Sequence, residues 1–344
     1  MAFSFARIPQ GYQNVVKTIL APGKISVVCT LQSRPEHNGK IRFIAGTYDL
    51  PVNYLIVYEK SPEDEEFVEL YRLDAPSSVE DIIKTASNEI AVAFQDGSVH
   101  MYVMFPPNGE DIELEQVFTS KSCCNAVAFT GGHIYAGFEN GNVEIFQRNL
   151  QQKLESKCII KNLAGVMDMC GISEVSVACA QLNGSIVIVD ARDDVPPEHI
   201  TLVTNAGITA LDSHPVFSGV IAYGTDDGRI GFYDLLTHKR SVLFSVGSGP
   251  VWQVKFDPKK ECILYTSCDD GSFVQVDVSG TGRIVANAPD GSTDLFVCPN
   301  LHSRIFMNHL ISANSPVNGF DIFDGRYIAG MDNNQIEVIS VTQH

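Results

Sequence analysis

Apolar and polar residues alternate with period two over many short stretches of this chain, as they do in half-buried β-strands. VWQVKF at 251–256 is one such run, and SVLFSV at 241–246 is another. Five longer stretches carry the pattern through a turn. VAFQDGSVHMY, AGFENGNVEIF, ACAQLNGSIVIVD, AYGTDDGRIGFYD and YTSCDDGSFVQVD each place small or apolar residues before Asp-Gly or Asn-Gly, and alternating apolar residues after it. Each predicts a β-hairpin with a two-residue type I′ turn. Asn, Asp and Gly accept the positive φ needed at both turn positions, and the twist of that turn matches the flanking strands.

The turn glycines Gly97, Gly141, Gly184, Gly228 and Gly271 stand 43 or 44 residues apart. A four-stranded propeller blade repeats at roughly 40–45 residues. Two weaker copies flank the five: RFIAGTYDLPVNYLIVYEK, with a longer turn around Pro51 to Asn53, and YIAGMDNNQIEVISV, with Asn333-Asn334 as its turn. The last interval exceeds the period by about 20 residues, which predicts an insertion at about 280–314. The expected fold is therefore all-β: a seven-bladed β-propeller filling residues 1–344 as one domain, with an insertion before the last blade. Closing the ring calls for an N-terminal strand to cover the last blade's exposed edge, and NVVKTIL (Asn14 to Leu20) fits. SSVEDIIKTA, the best helix candidate, aligns with the first strand of blade two and is read as a strand.

With strands a to d counted from the axis outward, b–c turns and d–a loops share the upper face, and a–b and c–d loops share the lower one. Asp226, Asp227, Asp269 and Asp270 then fall in upper turns, where turn chemistry accounts for them better than metal or acid/base chemistry. Aligning the inner strands on VWQVKF brings Glu80, Asn125, Met167, Thr209, Trp252 and Asn318 to the channel mouth, one from each of blades two to seven. This mixed set has no His/Asp/Glu trio for a metal, no nucleophile beside a base and no Arg cluster for phosphate. A propeller hydrolase would gather such groups at its channel. The expectation is a non-catalytic binding protein with no cofactor and no small-molecule substrate, whose partners touch the ring residues.

Trp252, the only tryptophan, suits either a binding anchor or the core. The insertion contributes Phe296, Ile305, Phe306, Met307, Leu310 and Ile311, apolar enough to pack on the ring or on a partner, so Phe306 and Leu310 join the candidate contacts. His214, in a Ser-His-Pro sequence at a strand end, is read as a turn residue. The loops 59–66, 106–115 and 191–198 make an acidic lower surface, either solubilising or a dock for a basic partner.

Composition removes several function classes. The formal charge of −17 and a pI near 4.8 disfavour nucleic acid and anionic lipid, and the densest basic run, His238-Lys239-Arg240, is too short for a phosphate groove. MAFSFARIPQ lacks a signal-peptide pattern, and no run approaches the roughly 18 apolar residues of a membrane span, so a soluble, non-secreted protein is expected. The nine cysteines show no CxxC spacing and sit mostly in strand-like runs, as buried reduced thiols do. No phosphate-cradling glycine motif precedes a helix, which leaves nucleotide binding without support.

VWQVKFDPKKECILYTSCDDGSFVQVD, SHPVFSGVIAYGTDDGRIGFYD and the ending SPVNGFDIFDGRYIAGMDNNQIEVISV resemble the forty-three-kilodalton WD-repeat nucleoporin family of the Y-shaped outer-ring scaffold of the nuclear pore. The likeness is clearest from about residue 205 onward. The usual Trp-Asp ending appears as Tyr233-Asp234, Val189-Asp190 and Val276-Asp277, and the Gly-His dipeptide is missing. The resemblance implies a structural subunit bound to other outer-ring nucleoporins, through an α-solenoid of the short arm. It also implies a place at the nuclear envelope, support of nucleocytoplasmic transport and, in mitosis, the kinetochore. No catalytic or contact residues transfer from it. The alternative is a substrate adaptor of a cullin-type ubiquitin ligase, prompted by VDAR at 189–192, which resembles the Trp-Asp-x-Arg box with Val189 in place of Trp.

Overall fold

In a computed structural model of the chain, the described residues are 12–31, 40–86, 88–105, 112–151, 153–161, 163–192, 195–202, 205–241, 243–280, 304–323 and 325–343. They form seven antiparallel sheets arranged as a β-propeller, and none of them is helical. The inner strands are Ile25–Leu31, Val79–Ala86, Cys124–Thr130, Val166–Gly171, Ile208–Ser213, Val251–Phe256 and Val317–Phe323, one per blade. Each lies against the inner strands of the blades before and after it, the seventh against the first.

The b strands are buried on both faces, and their sequences show why. EIAVAF, SVACAQ and VIAYGT are nearly continuous apolar or small runs, because successive side chains point to opposite neighbouring blades. Phe94 packs between blades one and two, whereas Ala93, the next side chain back, packs between blades two and three. The buried apolar residues divide accordingly into seven clusters, one at each junction between blades. A fully buried side chain such as Phe273 contributes about 1.5–3 kcal/mol, and none is shared by all blades. The core is thus a set of radial layers around the axis.

The predicted closing strand is present and longer than expected. Tyr12–Leu20 pairs antiparallel with Gln335–Gln343 and supplies the outer strand of blade seven. SSVEDIIKTA contains the inner strand of blade two, as its place in the repeat requires.

Three local expectations are corrected. Among the turn pairs of the five hairpins, only the glycine has positive φ, between 79° and 86°. Each glycine N–H closes a turn on a carbonyl three residues back, as Gly97 does on Phe94 at 3.0 Å and Gly141 on Phe138 at 2.9 Å. That geometry is a type I turn followed by a left-handed glycine, not the two-residue type I′ turn. Second, the segment from 304 onward is no insertion: Arg304–Ser312 is the outer strand of blade six, paired with Ser272–Gly280. The excursion narrows to 281–303, which lies outside the described residues and includes Phe296. Third, SVLFSV is not a continuous strand. Among the described residues the outer edge of blade five consists of two short pieces, Lys239–Arg240 and Phe244–Ser245.

Candidate functional site

Each inner strand begins with a β-bulge, and the bulged residue occupies the same place in all seven blades. The register skips one residue between Val79 and Asp81, Cys124 and Ala126, Val166 and Asp168, Ile208 and Ala210, Val251 and Gln253, and Val317 and Gly319. The skipped residues are Glu80, Asn125, Met167, Thr209, Trp252 and Asn318, the six placed at the channel mouth by sequence. Blade one has the same skip between Ile25 and Val27, which adds Ser26 as the seventh member. Aligning ISVVCT with VWQVKF would have found it. A bulge frees its residue from the ladder and re-aims the side chain.

The ring holds together as geometry, but its members do different things. Asn125 donates through Nδ2 to the Val166 carbonyl of the next blade at 2.8 Å, Thr209 through its hydroxyl to the Val251 carbonyl at 2.7 Å, and Asn318 to the Ile25 carbonyl at 2.8 Å. These three fasten blades together. Met167 packs against the apolar layer between blades four and five. Ser26 bonds within its own blade, to the Gly46 carbonyl at 3.2 Å. Trp252 is 38 % exposed, with its indole N–H directed to Asp269 at 3.2 Å. Trp252 is therefore a surface residue at the mouth, not core. Glu80 is half-buried, and it is the one polar member whose side chain has no hydrogen-bond partner among the described residues.

Two further levels lie below, with Asp81, Asp168 and Gln253 one residue past the bulge and Asp212 and Asp321 three residues past it. Asp81, Asp168 and Asp212 each accept the N–H of their own next residue and, through the other oxygen, an inner-strand N–H of the following blade. The partners across the junction are Val127 at 2.9 Å, Leu211 at 2.7 Å and Phe256 at 2.7 Å. Gln253 accepts the Phe320 N–H at 2.7 Å, and Asp321 accepts the Thr30 N–H at 2.7 Å. Burial pushes Asp81 and Asp212 up to about 6, against the lowering effect of their N–H bonds, and pushes Asp168 well above the usual carboxylate range. Burial acts on Asp321 in the same sense, yet the Lys255 ammonium 2.8 Å away holds its carboxyl below the usual range. These carboxylates are not legible as a set in the sequence, because their partners are main-chain groups some 43 to 46 positions distant.

Counting all these levels, six of the seven blade junctions carry a bond from an inner-strand side chain to the next blade's inner main chain. Among the described residues the junction between blades one and two has none. There, on the upper face, a cleft of about 930 Å³ opens, lined among others by Tyr48, Leu50, Pro51, Val52, Asp74, Pro76 and Glu80. Burial, and secondarily the charge of Asp81, push Glu80 up to about 7.

The two candidates on the outer strand of blade six lie at the ring's circumference, apart from the mouth. Leu310 is 7 % exposed and packs between blades six and seven, so its side chain is core. Phe306 is 41 % exposed on the outer edge. His214 is a turn residue as expected: its Nδ1 accepts the N–H groups of Val216 and Phe217 at 3.0 and 2.9 Å, and its Nε2 lies 2.8 Å from the Glu261 carbonyl.

The acidic lower loops are smaller than the sequence suggested. Residues 62–66 are exposed, but Glu59 is buried against Arg42 at 2.5 Å and Lys40 at 2.8 Å. Residues 112–115 belong to a strand. Residues 106–111 and 193–194 lie outside the described residues. Asp226 and Asp269 hold the first central position of their upper turns; at the second, Asp270 caps the turn by taking the Ser272 N–H at 3.0 Å, whereas Asp227 takes the Thr225 hydroxyl at 2.6 Å and the Arg229 guanidinium at 2.9 Å. Among the described residues no three His, Cys, Asp or Glu side chains converge as a metal-ligand set. Compared with known proteins, the chain matches no family model and no curated protein.

Proposed function

We propose that this chain is a non-catalytic scaffold subunit that holds protein partners on its upper rim, and that its assembly is the outer ring of the nuclear pore. The observation that carries the binding role is Trp252, an exposed indole at the mouth of a closed ring whose neighbouring bulge residues are engaged in fastening blades. Tryptophan is the residue most enriched at binding hot spots. The nucleoporin assignment is supported by the resemblance of residues 205 onward, and it brings an α-solenoid nucleoporin as partner, the nuclear envelope as location and the kinetochore as a mitotic site. The acidic surface supports the absence of nucleic acid and membrane among the partners.

Affinity purification of the tagged chain with mass spectrometry, together with imaging, tests the assembly. Recovery of outer-ring nucleoporins and a nuclear-rim signal are expected. An even cytoplasmic signal without nucleoporins would overturn it. Trp252→Ala tests the rim: partner recovery should fall while the unfolding free energy stays within about 0.5 kcal/mol. A large loss of stability with partners retained would return Trp252 to the core. The competing role, a cullin-type ligase adaptor, draws on the exposure of Arg192, whose guanidinium bonds Asp190 at 2.7 Å. Unchanged ligase association in Arg192→Ala would remove its support.

A further inference from the structure

We propose that the upper cleft between blades one and two receives a basic side chain, arginine or lysine, carried by an extended segment of a protein partner. The inference rests on the upper rim being the partner-holding face, and it adds the chemistry that the partner must present.

Glu80, Asp74 and Asp49 all line this cleft, and no Lys or Arg does. Asp49 already pairs with Lys24 at 2.9 Å. Glu80 and Asp74 have no hydrogen-bond or ion-pair partner among the described residues, so two carboxylates are available to a cation. The apolar part of the wall is Leu50, Pro51, Val52, Ala75 and Pro76, with Val52 46 % exposed. A charged tip on an aliphatic stem matches such a lining, since long basic side chains bury the stem and keep the head among polar groups.

The position of Glu80 within the repeat bears on the same point. At the equivalent bulge in blades three, five and seven, Asn125, Thr209 and Asn318 donate to a carbonyl of the following blade. In its ionised form Glu80 cannot donate that bond. Ser26, Met167 and Trp252 make no bond to the following blade either, and Asp81 holds the junction of blades two and three, but Glu80 is the one polar member of the ring left without a partner among the described residues. Half-burial without a partner costs a carboxylate free energy, and a guanidinium or ammonium within hydrogen-bond reach would offset that cost. The net charge of −17 adds a long-range attraction for basic segments.

The test uses the full chain and two acetylated, amidated tripeptides, Val-Arg-Val and Val-citrulline-Val, identical in shape but different in charge. Titration followed by NMR should show the arginine peptide binding about tenfold more tightly than its citrulline counterpart. Glu80→Gln should weaken it by about tenfold with melting unchanged, while Asp226→Asn, an exposed carboxylate of blade five, should leave it unaltered. Should Glu80→Gln fail to fold, Asp74→Asn serves in its place with the same expectation. Equal affinity for both peptides, no binding of either, or equal weakening by Asp226→Asn would overturn the cleft's role. Co-purification of nucleoporins alongside absent peptide binding would sink this inference alone. Peptide binding without nucleoporin recovery would sink the assembly assignment alone.

Discussion

The carboxylate of Asp81 in blade two accepts the main-chain N–H of Val127 in blade three at 2.9 Å, and that of Ile82 in its own strand at 2.7 Å. Val127 is only 2 % exposed, so water has little access to replace the bond. Replacing Asp81 by Ala leaves a buried donor unpaired, at a cost of about 1–3 kcal/mol. The expected outcome in urea is a lower midpoint with an unchanged slope, since the surface exposed on unfolding is the same. A shift below about 0.5 kcal/mol would show that the junction is held by its apolar layer alone.

The turn at 225–228 separates two roles that adjacent residues could be given. Gly228 has φ of 81°, and a Cβ built there would lie 2.4 Å from the Gly247 carbonyl oxygen. Gly228→Ala meets the left-handed penalty of about 1–2 kcal/mol and a backbone clash besides. Asp226 is exposed, and Asp226→Ala should change stability by no more than about 0.5 kcal/mol. Thermal melts of the two variants decide the matter. A stable Gly228→Ala beside a crippled Asp226→Ala would give the carboxylate, not the glycine, the structural role.

Blade number and bulge ring were legible because each is a local pattern repeated at a fixed interval, and the closing strand because a ring leaves one edge that must be covered. Hairpins that recur every 43 or 44 residues leave little freedom for the strands between them. The turn type was misread because Asp-Gly and Asn-Gly serve both the type I′ turn and the type I turn with a left-handed glycine. Only backbone angles distinguish them. Strand Arg304–Ser312 was hidden because the excursion before it displaces it from the period. The cross-blade bonds of Asp81, Asp168 and Asp212 were invisible for a deeper reason. A side chain bonded to a main-chain N–H leaves no matching letter at the other end. Whether Trp252 was core or surface could likewise not be read from a strand pattern, because the bulge breaks the alternation at that residue.

These buried carboxylates predict a pH dependence. An unfolded Asp titrates near 3.9, whereas Asp81 and Asp212 are pushed up to about 6 by burial. Groups raised on folding contribute stability that is fully present below about 4 and lost as pH rises through about 6. Asp321, held low by Lys255, works in the other direction: its contribution is present above about 4 and lost as pH falls through its lowered folded value. Comparison with a doubly substituted Asp81→Asn, Asp212→Asn chain isolates the first pair. The stability of the unmodified chain relative to this variant should be greatest near pH 4 and should decline toward pH 7, in melts at constant ionic strength. A difference that stays constant across that range would mean that neither carboxylate titrates there.

Tyr12–Leu20 joins the two ends of the chain in blade seven, pairing along its whole length with Gln335–Gln343. Ile19 also packs against the apolar layer between blades seven and one. Removing residues 1–20 would withdraw this outer strand, leave the outward-facing ladder groups of Gln335–Gln343 unpaired and expose a long edge able to pair with another chain. Because all seven junctions form one closed circuit, the loss should spread beyond blade seven. The expected result is a truncated chain that melts at lower temperature with reduced cooperativity and associates in a concentration-dependent way, seen by calorimetry and light scattering. Adding a synthetic peptide spanning residues 12–20 should recover part of the melting temperature by re-pairing the edge, in proportion to its occupancy. A truncated chain that stays monomeric and melts like the full one would show that the other three strands of blade seven suffice to close the ring.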